Sequence, residues 1–88
     1  MDVESLENQL HQEGFGYVYE WQDGPQCYYP HHTHLTETAH IILDGEMTLT
    51  MDGHSATYHA GDRVDVPAGA LHSARMGPRG CRYLIGER

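Results

Sequence analysis

The chain opens with one short stretch of helical periodicity and then alternates in the manner of β-strands. Within residues 2–13, apolar positions recur at helical spacing. They are Val3, Leu6 and Leu10. Asp2 can cap the first turn, because its short carboxylate can accept a hydrogen bond from a free backbone N–H. We therefore expect a helix over residues 2–13 that packs on the domain as a brace.

From residue 17 onward the pattern favours short strands separated by turn residues. The predicted strands cover residues 17–22, the segment of the first histidines, and residues 39–43, 46–51, 55–59, 64–66, 72–74 and 81–85. Residues 23–25 form a turn, and Gly45 marks the end of the strand over 39–43. The dipeptide Asp52-Gly53 predicts a type I′ hairpin turn.

Three histidines in this pattern suggest a metal site. Residues two apart on a strand point to the same face, so His32 and His34 can reach one ion from a single strand. His72 must come from a second strand, and the Pro-Ala-Gly turn at residues 67–69 would deliver it. Neutral imidazole suits iron, nickel, copper and zinc, and manganese where oxygen ligands complete the shell.

These residues resemble the two motifs of the cupin family. The first motif, G-x5-H-x-H-x3,4-E-x6-G, shares His32, His34 and Gly45, although its leading glycine is absent. The second, G-x5-P-x-G-x2-H-x3-N, is matched at Gly61, Pro67, Gly69 and His72, with Met76 in place of the asparagine. The resemblance covers most of the chain and is closest to compact microbial cupins.

The resemblance and the strand succession together imply an all-β fold, an antiparallel double-sheet jelly-roll barrel with a short N-terminal helix. We expect residues 1–88 to form a single cupin domain. Residues 1–14 would be the helical segment and residues 15–88 the barrel.

The motif glutamate is missing, because Thr38 stands at its position and Glu37 lies one residue too early. We expect a shell of three histidines completed by waters. His40 shares strand parity with Thr38, so it is a candidate fourth ligand or a residue behind the ligands. Glu37 is a weaker candidate, since it has the opposite parity and would need a bulge to turn inward.

The remaining histidines have ordinary surface interpretations. His11 lies in the polar helix, His54 follows a turn, and His59 ends a strand. His31 would point away from its neighbour His32 on a regular strand, so it too is a poor ligand candidate.

Candidate pocket residues are Tyr28, His40, Met76 and Tyr83. Of these, His40 and Tyr83 are the candidate proton donors. The stripe of Met47, Leu49 and Met51 is more typical of a core than of a substrate site.

Composition limits the class of protein. Thirteen acidic against five basic residues give a net charge of −8 and leave no basic stripe, which disfavours nucleic acid as a partner. The acidic N-terminus lacks an apolar signal core, and no apolar run approaches the ~20 residues of a membrane span, so we expect a cytoplasmic protein. Cys27 and Cys81 are then expected to be reduced.

The leading functional hypothesis is a metal-dependent enzyme, dioxygenase-like or isomerase-like, that acts on a small chelating molecule through one divalent ion of iron, manganese, nickel, copper or zinc. The alternative is a non-catalytic module that binds a small molecule or a metal, or serves as a sensor. A metal-free barrel would fit only if the histidines faced solvent. By analogy with cupins, we also expect a homodimer.

Overall fold

Helix α1 spans Val3–Gln12 in the computed structural model, which describes all 88 residues of the chain. The carboxylate of Asp2 caps it by accepting a hydrogen bond from the Ser5 amide at 3.3 Å. Leu10 is fully buried, and Val3 and Leu6 pack partly beside it, so the predicted brace is confirmed. No helix of the protein has the length and apolar character needed to cross a bilayer.

Six strands follow the helix, and every pairing between them is antiparallel. They are β1 Tyr17–Asp23, β2 Tyr28–His32, β3 Thr38–Met51, β4 His54–His59, β5 Arg63–Val66 and β6 His72–Glu87.

The two long strands, β3 and β6, join two four-stranded halves. In one half, residues 81–87 of β6 and 38–45 of β3 lie between β1 and β5. In the other half, residues 72–76 of β6 and 47–51 of β3 lie between β2 and β4. This double-sheet arrangement confirms the predicted jelly roll.

The predicted end of a strand at Gly45 is wrong, because β3 continues through it to Met51. Gly45 has a φ of +80°, and the pairing with β6 shifts on either side of it, which is the behaviour of a β-bulge. A bulge bends a strand without ending it and changes which residues face inward. Ile42 packs in the inner cluster before the bulge, and Met47 does so after it.

The segments predicted at residues 72–74 and 81–85 are likewise parts of one strand, β6. The predicted hairpin at Asp52-Gly53 is confirmed, since both residues have positive φ, 54° and 78°, as a type I′ turn requires.

Apolar residues pack on both faces of the first half. The outer cluster lies under α1 and consists of Leu10, Phe15, Ala39, Ile41, Leu43 and Leu84. The inner clusters include Met47 and Leu49, so their prediction as core residues is confirmed.

Both cysteines are free thiols beside the inner cluster, as expected for reduced residues. Burial raises the pKa of the Cys81 thiol to about 11, so this group is protonated and unreactive at neutral pH.

Candidate metal centre

Three imidazole rings meet at one end of the second half. One ligand nitrogen from each of His32, His34 and His72 lies within 4.8 Å of the others. The ring centroids of His32 and His72 are 4.2 Å apart, and the His34 centroid is 4.9 Å from each. The structure therefore brings together the three residues that the sequence singled out.

The backbone positions these rings in a way that differs in one respect from the prediction. His32 is the last residue of β2 and pairs with His72, the first residue of β6. His34 lies beyond the end of β2, so the expectation that one strand carries both members of the pair is wrong. The turn before β6 holds His34 instead, because the Gly69 amide donates a hydrogen bond to the His34 carbonyl at 2.9 Å.

Hydrogen bonds to backbone carbonyls fix the tautomers of two rings. His32 donates its Nδ1–H to the carbonyl of Pro30 at 2.7 Å, and His72 donates its Nδ1–H to the carbonyl of Ala70 at 2.9 Å. A carbonyl can only accept, so the proton must be on Nδ1 and the lone pair on Nε2. Metal-binding histidines are oriented in this way. These residues fit a transition metal ion.

The surroundings favour the neutral form of His34 and His72. Burial lowers the pKa of His34, and the neighbouring His72 and His32 lower it further. Burial also lowers the pKa of His72, which is only 2% exposed, although its bond to Ala70 partly offsets the effect. Neutral imidazole is the form that binds metal.

The candidates for a fourth ligand lie outside this group of three. His40 has a buried Nδ1 without a hydrogen-bond partner, and its ring centroid is 6.0 Å from that of Tyr83. Glu37 accepts a hydrogen bond from Arg88 at 2.6 Å and is thereby engaged in an ion pair. Thr38 is buried with an unpartnered hydroxyl and supplies no carboxylate.

A cavity of about 360 Å³ adjoins the histidines. It is lined by Tyr19, Trp21, Tyr29, His32, His34, His40, Met47, Leu49, His72, Ala74, Met76, Tyr83 and Ile85. The predicted wall residues His40, Met76 and Tyr83 are therefore in place.

Tyr28 does not line the cavity, contrary to the prediction. Tyr28 is 47% exposed, and the Arg75 guanidinium lies 4.5 Å from the centroid of its ring. The pairing of β2 is irregular between Tyr29 and His32, so strand parity does not carry from Tyr28 to the histidine. Tyr29 faces the cavity instead.

Sequence reasoning also missed a hydrogen-bonded network around Asp23, which had been assigned to a turn and is in fact the last residue of β1. Its carboxylate accepts hydrogen bonds from Trp21 Nε1 at 3.0 Å, Tyr29 Oη at 2.7 Å and Tyr83 Oη at 2.6 Å. Burial, followed by the bond to Asp23, raises the pKa of Tyr29 to about 12 and that of Tyr83 further still. The alternation of aromatic residues in β1 was the available signal.

The other histidines lie at the surface. His11, His31, His54 and His59 are all exposed, as predicted.

Comparisons with known proteins agree with this architecture. The cupin domain family matches residues 15–84. Quercetin 2,3-dioxygenase of Bacillus subtilis (strain 168) is 41% identical over 49 residues, which are 54% of this chain and 14% of the relative. The chain thus spans about one seventh of that curated relative.

Solved structures show the same fold. A DMSP lyase from Ruegeria pomeroyi DSS-3 is 33% identical, with a TM-score of 0.73 over 81% of this chain and 36% of its own. A cupin superfamily protein from Desulfitobacterium hafniense DCB-2 is 18% identical, with a TM-score of 0.69 over 82% of this chain and 78% of its own. With a family match over most of its length and the matching fold, this chain belongs to the cupin domain family.

Proposed function

We propose that the chain binds one divalent transition metal ion through His32, His34 and His72 and acts as an enzyme on a small chelating molecule. The observation that carries the proposal is the convergence of three imidazoles, two of them held in the tautomer that leaves Nε2 free. Iron, manganese, nickel, copper and zinc are the candidates, with waters completing the shell.

When bound, such an ion would act as a Lewis acid, and a redox-active ion would also support oxidation by dioxygen. The protein would contribute the binding of the substrate, its orientation and the exclusion of water by the apolar cavity wall. Three neutral ligands would leave the full positive charge of the ion to attract a chelating oxygen.

Between the two candidate proton donors, we assign the role to His40. Burial lowers its pKa to about 4, so its ring is neutral at pH 7, and its unpartnered Nδ1 leaves it free to form a hydrogen bond with a substrate in the cavity. The hydroxyl of Tyr83 is less suited, because its proton is donated to Asp23 and its pKa is raised.

Dioxygenase-like and isomerase-like reactions are the two candidate activities. Two relatives carry the names of enzymes, a dioxygenase of quercetin and a lyase of DMSP, and this supports catalysis here. The chain covers only 14% and 36% of those proteins, so we propose quercetin and DMSP only as candidate substrates of this chain.

A non-catalytic module that binds a small molecule or a metal is the second candidate. It is favoured by the absence of a carboxylate among the three clustered side chains. For either function we propose a cytoplasmic homodimer.

Oxygen uptake with quercetin as the probe tests the dioxygenase-like activity. Untagged protein would be loaded in turn with iron, manganese, nickel, copper or zinc, and flavonol absorbance would be followed alongside dioxygen. Turnover that is lost in His34→Ala and kept in the exposed neighbour control His31→Ala supports the proposal. A spectral shift of bound quercetin without oxygen uptake, for every metal, would favour the binding module.

A further inference from the structure

Four aromatic residues line the cavity that adjoins the histidines. They are Tyr19, Trp21, Tyr29 and Tyr83, here called the aromatic box. The Tyr29 ring centroid is 6.4 Å from that of His32, and the Tyr83 centroid is 6.0 Å from that of His40. A ligand of a few heavy atoms could therefore touch the box and the histidines at once.

Every side-chain donor of the box is already used. Asp23 receives the indole N–H of Trp21 and the hydroxyls of Tyr29 and Tyr83. The Tyr19 hydroxyl donates to the Glu87 carboxylate at 2.6 Å. The box thus has no free N–H or O–H for an anionic or acceptor-rich group.

The two carboxylates that accept these hydrogen bonds, Asp23 and Glu87, form no ion pair. Asp23 is only 8% exposed, and neither it nor Glu87 takes part in any of the four ion pairs of the protein. The chain has no lysine, and none of its five arginines lines the cavity. A neutral ligand would leave the negative charge of these carboxylates unbalanced, whereas a cation bound in the box would balance it.

We infer that the aromatic box binds the methylated cationic group, a quaternary ammonium or a sulfonium, of a small ligand. Aromatic faces attract such cations through their quadrupole, and methylated onium groups need no hydrogen-bond donor or acceptor. Donation of the ring hydroxyls to carboxylates makes the faces more negative. Where the proposed function also holds, the ligand is a zwitterion whose carboxylate reaches the metal held by the histidines.

The charge of the ligand can be isolated with a pair of isosteres. Choline and 3,3-dimethylbutan-1-ol differ only in the replacement of the ammonium nitrogen by carbon. Binding would be measured by calorimetry on metal-free protein, and Trp21, the single tryptophan of the chain, would report occupancy of the box by fluorescence. We expect choline to bind about tenfold more tightly than the alcohol, with a change in Trp21 emission. Equal affinities would overturn the inference without any variant.

A substitution then assigns the preference to the network. Asp23→Asn keeps the size of the side chain and removes its charge, so it should abolish most of the preference for choline over the alcohol. Asp52→Asn removes the same charge at a distant hairpin where asparagine also fits the turn, and it should have no effect. A preference that survives Asp23→Asn in a folded variant would contradict the assignment.

A second pair separates this inference from the proposed metal site. Glycine betaine and 3,3-dimethylbutanoate both carry a carboxylate, and only the first is cationic. Tighter binding of both in the presence of metal, lost in His34→Ala, supports the metal site. A preference for betaine over its isostere, with or without metal, supports the box. Either result can fail while the other holds.

Discussion

The amide of Gly69 donates a hydrogen bond to the carbonyl of His34 at 2.9 Å, and this bond joins the turn before β6 to the loop after β2. It places His34, which no strand holds, next to His72 at the start of β6. The geometry of the candidate site therefore depends on a turn as well as on strand pairing.

Gly69→Ala should weaken metal binding more than it weakens the fold. Gly69 has a φ of +77° with open space around it, so an added methyl group strains only the backbone, at a cost of about 1 kcal/mol. Relief of that strain would move the turn and with it His34. The matched control is Gly53→Ala, which has a φ of +78° and the same open surroundings far along the β3–β4 hairpin. Equal metal affinities of the two variants by competition titration would contradict this role of the turn.

Gly45→Ala should destabilise the protein far more than Gly53→Ala. The two glycines have nearly the same φ, but a Cβ at Gly45 would clash with the Gly80 carbonyl oxygen, whereas a Cβ at Gly53 would meet open space. We expect a loss of about 3 kcal/mol or more in the free energy of unfolding at Gly45, against about 1 kcal/mol at Gly53. Urea denaturation would measure both. A similar loss for the two variants would show that the close approach of β3 to β6 at the bulge is unimportant.

His40 should make the metal-free protein sensitive to acid. Burial lowers its pKa to about 4 in the folded state, whereas imidazole in an unfolded chain has a pKa of about 6.5. Between these values the unfolded chain binds more protons, so the stabilisation is complete above about pH 6.5 and is lost as the pH falls toward 4. We expect His40 to contribute about 2 kcal/mol to the free energy of unfolding. This is less than the full pKa shift would give, because the ring borders the cavity.

The experiment compares His40→Gln with the exposed control His54→Gln in the presence of a chelator. Denaturation at pH 7 and at pH 4.5 should show a smaller loss of stability for His40→Gln than for the native chain. The control should behave like the native chain. An unchanged pH dependence in His40→Gln would contradict the prediction.

Metal should be released in acid, because protons compete for the ligand nitrogens. If the ligand imidazoles had their ordinary pKa, the metal would be released below about pH 5.5 to 6. Burial lowers the pKa of His34 and His72, which moves release toward the lower end of that range. Dialysis over a pH series followed by elemental analysis would measure it. Stoichiometric metal at pH 4.5 would be evidence against histidine ligation.

The histidine cluster could be predicted from sequence because local features encode it: an H-x-H pair and a turn that delivers a third histidine. The cavity wall could not be predicted as well. Tyr28 was a candidate for the wall, but Tyr29 lines the cavity instead, and the pairing of β2 is irregular between Tyr29 and His32. The alternation of residues along a strand does not show where its pairing with the neighbouring strand becomes irregular.

Long-range contacts were the second gap. Asp23 and Tyr83 are 60 residues apart in the chain and meet only because β1 pairs with β6. Gly45 was predicted to end a strand, because the sequence does not distinguish a strand end from a bulge. That distinction depends on whether the partner strand continues past the glycine, as β6 does.

The metal content of untagged native protein, compared with that of His34→Ala and His31→Ala, tests the central claim most directly. His34 belongs to the three-histidine cluster, while His31 lies three residues before it and is exposed. We predict one equivalent of a transition metal in the native chain and in His31→Ala, and none in His34→Ala. No metal in the native protein even after reconstitution, or equal metal in all three proteins, would contradict the account.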